Sequence, residues 1–138
     1  MGKVQRIGVS LEPKLLEWFD KRISSEGYTN RSEALRDLIR QKMVDEQWQM
    51  DDEECVAAVT LVYDHHGEIG HKLTQIQHDS LVNIVSTLHV HIDHDNCLEV
   101  IVLRGSGKYI QQIGNKMISQ RGVKHGKIIT TTTGANMP

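Results

Sequence analysis

Residues 4–11 alternate apolar and polar positions, and only two helical stripes follow before a run of acids, so this stretch lacks the means to fold as a single copy. Ile7, Val9 and Leu11 fall on one face and Arg6, Gly8 and Ser10 on the other, the period of a short amphipathic strand. Pro13 suits the first position of a following helix, where its missing N–H costs nothing. Leu15, Leu16, Phe19 and Ile23 then form a stripe that stops before Gly27, which predicts a helix over about 13–25. Asn30 can cap a second helix, with Glu33 at the reciprocal position and a stripe of Leu35, Leu38, Ile39 and Met43. One strand and two helices in residues 1–44 cannot bury three apolar faces, and a lone strand leaves its backbone groups unpaired. Two chains solve both problems: their strands pair antiparallel into a ribbon whose apolar side packs on four helices.

Ribbons of this size enter the major groove of double-stranded DNA. On the outward face Arg6 can donate two hydrogen bonds to guanine and Ser10 can bond to several bases, with Gly8 between them. The start of the second helix, Asn30, Arg31 and Ser32, offers free N–H groups and a positive dipole end to a phosphate. Charge agrees with a division of labour. Residues 1–44 carry nine Lys and Arg against six Asp and Glu, while residues 45–138 carry seven against twelve. Between them Asp45 to Glu54 holds six carboxylates in ten residues, read either as a linker or as the solvated last turn of the helix.

From residue 55 the pattern reads strand 55–63, helix about 68–81, strand 84–92, strand 97–103, helix about 107–119 and strand 123–132. This βαββαβ order is the ferredoxin-like arrangement, two helices over one face of a four-stranded antiparallel sheet. Leu88, Val90 and Ile92 are expected to face those helices, leaving His89 and His91 on the uncovered face, where another subunit can dock.

The chemistry concentrates there. His89 and His91 share a face at about 7 Å separation, and the turn-forming Asp93-His94-Asp95-Asn96 folds Cys97 back beside His91. Imidazole nitrogen and thiolate sulfur suit late first-row divalent ions rather than magnesium or calcium. His78, eleven residues upstream of His89 and near a helix end, can complete the set and is expected from a neighbouring chain. With three nitrogens and one sulfur, zinc, nickel and copper all remain open. Glu99 and Gln77 are candidate partners for imidazole N–H groups. His65, His66, His71, His94 and His125 read as solvated residues, some of them able to bind excess metal weakly.

Nearly the whole chain resembles the nickel-responsive ribbon-helix-helix repressors of the NikR family. The resemblance rests on Ser86 to Glu99, on Gly27-Tyr28 and Asn30-Arg31-Ser32-Glu33-Ala34, and on Gln120 to Gly126. It implies an α+β chain with a dimeric ribbon-helix-helix domain (1–48), a linker (49–54) and an ACT-like metal-binding and tetramerisation domain (55–138). It also implies one square-planar Ni(II) per subunit, held by His89, His91 and Cys97 of one subunit and His78 of another, in a homotetramer whose nickel loading drives operator binding and represses nickel uptake. A second cation between the domains, near Glu33 and Asp37, is implied as well. Gly8 departs from the family, whose ribbon presents a polar side chain there, so one base contact is missing.

Competing readings are a copper or zinc regulator of the same architecture, a metal-dependent enzyme, and an amino-acid-binding regulator. Four protein ligands close a site that catalysis would keep open, and an amino-acid sensor leaves the His/Cys cluster unexplained. Neither a signal peptide nor an apolar run of eighteen residues is present, so a cytoplasmic protein with no membrane contact is expected.

Overall fold

The computed structural model describes residues 2–50 and 53–138, and the chain divides into two compact units, 1–41 and 42–138. Asp51 and Asp52, in the middle of the expected linker, lie outside the described residues.

In the first unit, α1 runs Pro13–Ser25 with Pro at its start. Gly27, at φ +92, closes it: Gly27 N donates to Ser24 O and Tyr28 N to Ile23 O, a reversal that the left-handed conformation permits and a side chain would resist. Then α2, Arg31–Gln47, opens on the expected cap, Asn30 Oδ1 accepting from Glu33 N at 2.9 Å. The Glu33 side chain pairs with Arg36 instead of returning to the cap. Residues 2–12 form no ladder within one chain. Ile7, Val9 and Leu11 are exposed and line, with Leu15, Phe19, Leu35 and Leu38, an apolar groove of about 800 Å³.

The second unit is βαββαβ, as the periodicity predicts. β1 (Glu54–Asp64), β2 (Asn83–His91), β3 (Asn96–Ser106) and β4 (Val123–Thr132) form one sheet in the order β2-β3-β1-β4, with α3 (Ile69–His78) and α4 (Gly107–Ile118) between them in sequence. All three pairings are antiparallel. Leu61 and Val59 of β1, Ile101 and Leu103 of β3, Leu73 of α3 and Ile110 of α4 are fully buried in a single core under the helices. α3 stops at His78, three residues short of the expected end, as the chain passes Asp79 and Ser80 and leaves Leu81 exposed. No helix among the described residues is long and apolar enough to cross a membrane.

The orientation of β2 is the reverse of the sequence expectation. His89 pairs with Glu99 and His91 with Cys97, and those two partners lie on the buried side of β3 with Ile101 and Leu103. Directly paired residues share a face, so the imidazoles are on the helix-covered side. Leu88 and Val90 are therefore on the open side, opposite Val100 and Leu98, and are 59 % and 40 % exposed. β3 is apolar on both faces, so alternation alone could not say which side meets the helices. With Val102 and with Ile129 of β4, these residues make the open face of the sheet a continuous apolar surface.

Candidate metal centre

Antiparallel pairing builds the centre. β2 is an edge strand, and the hairpin returns β3 so that Cys97 lies opposite His91 and Glu99 opposite His89. The turn is held by Asp93, whose Oδ1 accepts from Asp95 N (2.9 Å) and Asn96 N (2.8 Å). His89 and His91 stack with ring centroids 5.5 Å apart, and His89 meets the edge of Tyr63 at 6.0 Å. Cys97 is a free, fully buried thiol whose Sγ donates to the Tyr63 carbonyl at 3.5 Å.

Burial, with Glu99 and Asp64 adding to it, pushes the Cys97 thiol above its ordinary range. Glu99 is likewise raised, chiefly by burial, against the opposing pull of His89, Gln77 and the Tyr63 hydroxyl. Its Oε2 is buried with no hydrogen-bond partner. A carboxylate kept dry beside an imidazole is suited to receive that ring's N–H once the other nitrogen is occupied. Two imidazoles, a thiol and an unsatisfied carboxylate are thus a donor set fit for a borderline to soft divalent ion.

Glu99→Gln separates these roles. The neutral amide removes a buried charge with an unsatisfied oxygen, so the metal-free protein should gain about 1–3 kcal/mol in chemical denaturation. Nickel affinity should drop by roughly 10- to 100-fold through the lost orientation of His89. A loss of stability would show that the buried carboxylate is not a net cost, and unchanged affinity would show that Glu99 does not position His89.

The other expected residues fall as follows. His78 is the last residue of α3 and is exposed. Gln77 lies beside it and reaches Glu99. Among the described residues, sets of three potential ligands with atoms all within 4.8 Å are Asp64–His65–His66 and His66–His94–Asp95; neither His89, His91 and Cys97 nor these with His78 form so tight a set within one chain. The sequence reading takes the histidines of both sets as solvated residues, some able to bind excess metal weakly. The signal was available, since a β1 that pairs with β3 places its end beside the β2–β3 turn. In the first unit Arg6, Gly8 and Ser10 are exposed. The Arg31 guanidinium is held on the Asp20 carboxylate by two 2.8 Å bonds. Glu33 is paired with Arg36, and Asp37 accepts from Tyr28 (2.5 Å) and Arg40 (3.0 Å).

Comparison with known proteins agrees with this division. Residues 56–131 match the family described as NikR C terminal nickel binding domain, and residues 5–46 match ribbon-helix-helix protein, copG family. A protein of Solibacter usitatus is 52% identical over 138 residues and one of Geobacter sulfurreducens 51%, each with 99% of both chains covered; both are described as nickel-responsive regulators. Among solved structures, the ACT domain of GTP pyrophosphokinase from Chlorobium tepidum is similar at a TM-score of 0.48 and 12% identity, over 55% of this chain and 86% of that one, which adds nothing to the assignment. Both relatives are named as regulators. With both halves matched and half of all positions shared end to end, the chain belongs to the NikR family, a ribbon-helix-helix domain followed by a NikR C-terminal domain of α+β fold.

Proposed function

We propose that this chain is a nickel-responsive, DNA-binding repressor of nickel uptake that works in the cytoplasm as a homotetramer, two ribbon dimers on a core of four sheet domains. One Ni(II) per chain is held by His89, His91 and Cys97 of one chain and His78 of a neighbour. The observation that carries this reading is the pairing of His91 with Cys97 and His89 with Glu99 on one edge of the sheet. His78 is exposed at the end of α3, which suits a ligand given to another copy. The apolar open face of the sheet, opposite the side that carries the imidazoles, supplies a surface on which a further copy packs.

A bound ion supplies a cross-link between chains, so its binding free energy becomes assembly free energy. The residues do the rest. Fixing His78 at the end of α3 against a neighbour's β2 restricts how the chains are arranged, and this biases the two ribbon dimers toward poses that reach both half-sites of an operator. Each dimer then raises the effective concentration of the other at the DNA. On the ribbon, Arg6 and Ser10 read base edges with Gly8 between them. The backbone at Asn30, Arg31 and Ser32 meets phosphate, since the Arg31 side chain is engaged by Asp20. Glu33 and Asp37 carry the charge for a second cation, which would compete with Arg36, Arg40 and Tyr28 for them.

The test is DNA retention in a mobility assay, using operators selected from a random pool, with chelator and with each of nickel, copper and zinc. Retention restored by nickel is expected. Retention that ignores metal would end the switching claim, and retention restored only by copper or zinc would reassign the ion. In the same assay Arg6→Ala should weaken operator binding by about tenfold or more, at about 1–3 kcal/mol per bidentate contact. Unchanged affinity would remove the ribbon from the interface.

A further inference from the structure

We propose that Trp48 is a positioning residue for DNA binding: seated against Gly107, it fastens the last turn of α2 to the metal-binding domain and so sets how the ribbon dimers are presented. This rests on the DNA-binding reading above and adds to it a fixed foot for the helix whose first turn meets phosphate.

The last turn of α2 has two faces. Asp45 and Glu46 are exposed, whereas Val44, Gln47 and Trp48, at i, i+3 and i+4, share one face and are buried or half-buried. Residues 42–48 belong to the second compact unit although α2 begins in the first. Their inner face is held at several points, all within that second unit. The Trp48 ring packs on the core of the sheet domain. Its indole N–H donates to the Thr131 carbonyl of β4 at 2.9 Å, and Thr132 Oγ1 donates to Gln47 Oε1, also at 2.9 Å. The buried Cys55 thiol, at the start of β1, donates to the Gln47 carbonyl at 3.8 Å.

Gly107 makes the seat. It is the first residue of α4, and a Cβ there would come within 2.8 Å of Trp48 Cε3 and 3.1 Å of the Trp48 carbonyl oxygen, closer than the ring can accept without moving. Close approach of this kind is one of the uses of glycine. An indole held both by packing and by its N–H fixes a direction as well as an area. The foot of α2 is therefore held by the metal-binding half, not by the acidic residues that follow it.

The effect falls on presentation. Two linked ribbon dimers gain from each other only when their attachments let both reach their half-sites. α2 has Asn30 to Ser32 at one end and the Trp48 seat at the other, so releasing the seat spreads the ribbons over more directions and dilutes each at its half-site. Nickel itself is bound elsewhere and should be indifferent to the change.

The experiment compares the nickel-loaded, full-length wild type with Trp48→Ala, Gly107→Ala and the double variant. Each is titrated with the selected operator and with one whose half-sites are moved by about five base pairs, half a turn of the duplex. Either single variant should bind the selected operator at least about tenfold more weakly and lose most of the preference for its spacing. The double variant should be no weaker than the singles, since both undo one contact. Nickel affinity by equilibrium dialysis and assembly by ultracentrifugation should stay as in the wild type. With Trp18→Phe as background Trp48 is the sole indole. Its emission should shift to the red and become open to acrylamide when Gly107→Ala is added, which reports the emptied seat with the tryptophan still present. Operator affinity and spacing preference kept in Gly107→Ala with an exposed indole would overturn the proposal. So would an indole that stays shielded there, or a matching loss of nickel affinity, which would make Trp48 a structural residue only. Operator binding that ignores nickel in the wild type, with spacing preference lost in both variants, would instead overturn the switch of the proposed function and leave this inference standing.

Discussion

Cys97→Ala should abolish nickel-dependent DNA retention while leaving a folded, assembled protein. The side chain is fully buried between Tyr63 and the hairpin, and truncating a thiol to a methyl group there removes little packing, about 1 kcal/mol at most. Its loss as a ligand is far larger. Four-ligand sites are worth on the order of 10–16 kcal/mol, so deleting the single sulfur should cost about 3 kcal/mol or more, above a hundredfold in Kd. The contrast between an intact melting profile for the metal-free protein and absent metal-dependent retention is the diagnostic result. A Cys97→Ala protein that still grips its operator only when nickel is added would remove Cys97 from the switch.

Val100→Asp should break the assembly. Val100 sits mid-sheet on the open face, paired with Leu88 on one side and Thr60 on the other. In the isolated chain a carboxylate there can reach water, so the unit itself should fold. Against another apolar sheet it would be buried and unpaired, at a cost of several kcal/mol for each copy. Analytical ultracentrifugation should therefore show dimers for the variant and tetramers for the wild type, and nickel affinity should fall along with the assembly if His78 is lent across it. Retention of the tetramer would mean that this face is not where the copies meet.

What the sequence revealed followed physical simplicity. Pro13 and Gly27 bracket α1 because each does something at a helix end that few residues can, and β4 ran as expected from Val123, just after Gly122 with its φ of +107. Asn30 was legible as a cap for the same reason. The order βαββαβ and the meeting of His91 with Cys97 needed only strand periodicity and a turn.

Facing was the failure. Leu88 and Val90 read as core because apolar residues usually enter their own domain's interior, whereas here they lie on the open face of the sheet. The same confusion hid the cluster at His66, His94 and Asp95, since its members lie on two separate turns that become neighbours only when β1 pairs with β3. Residues 2–12 show the limit from the other direction, their alternation being readable although they form no ladder within one chain.

The small corner pinned by Asp93 has a consequence out of proportion to its size. Were β2 to slide one place along β3, every side chain on it would change sides: the two imidazoles would vanish into a subunit seam, and the leucine and valine would roof over the thiol. Such a protein would retain a complete sheet and be deaf to its signal. By setting where the chain doubles back, one carboxylate acts as the ruler against which sensing is aligned.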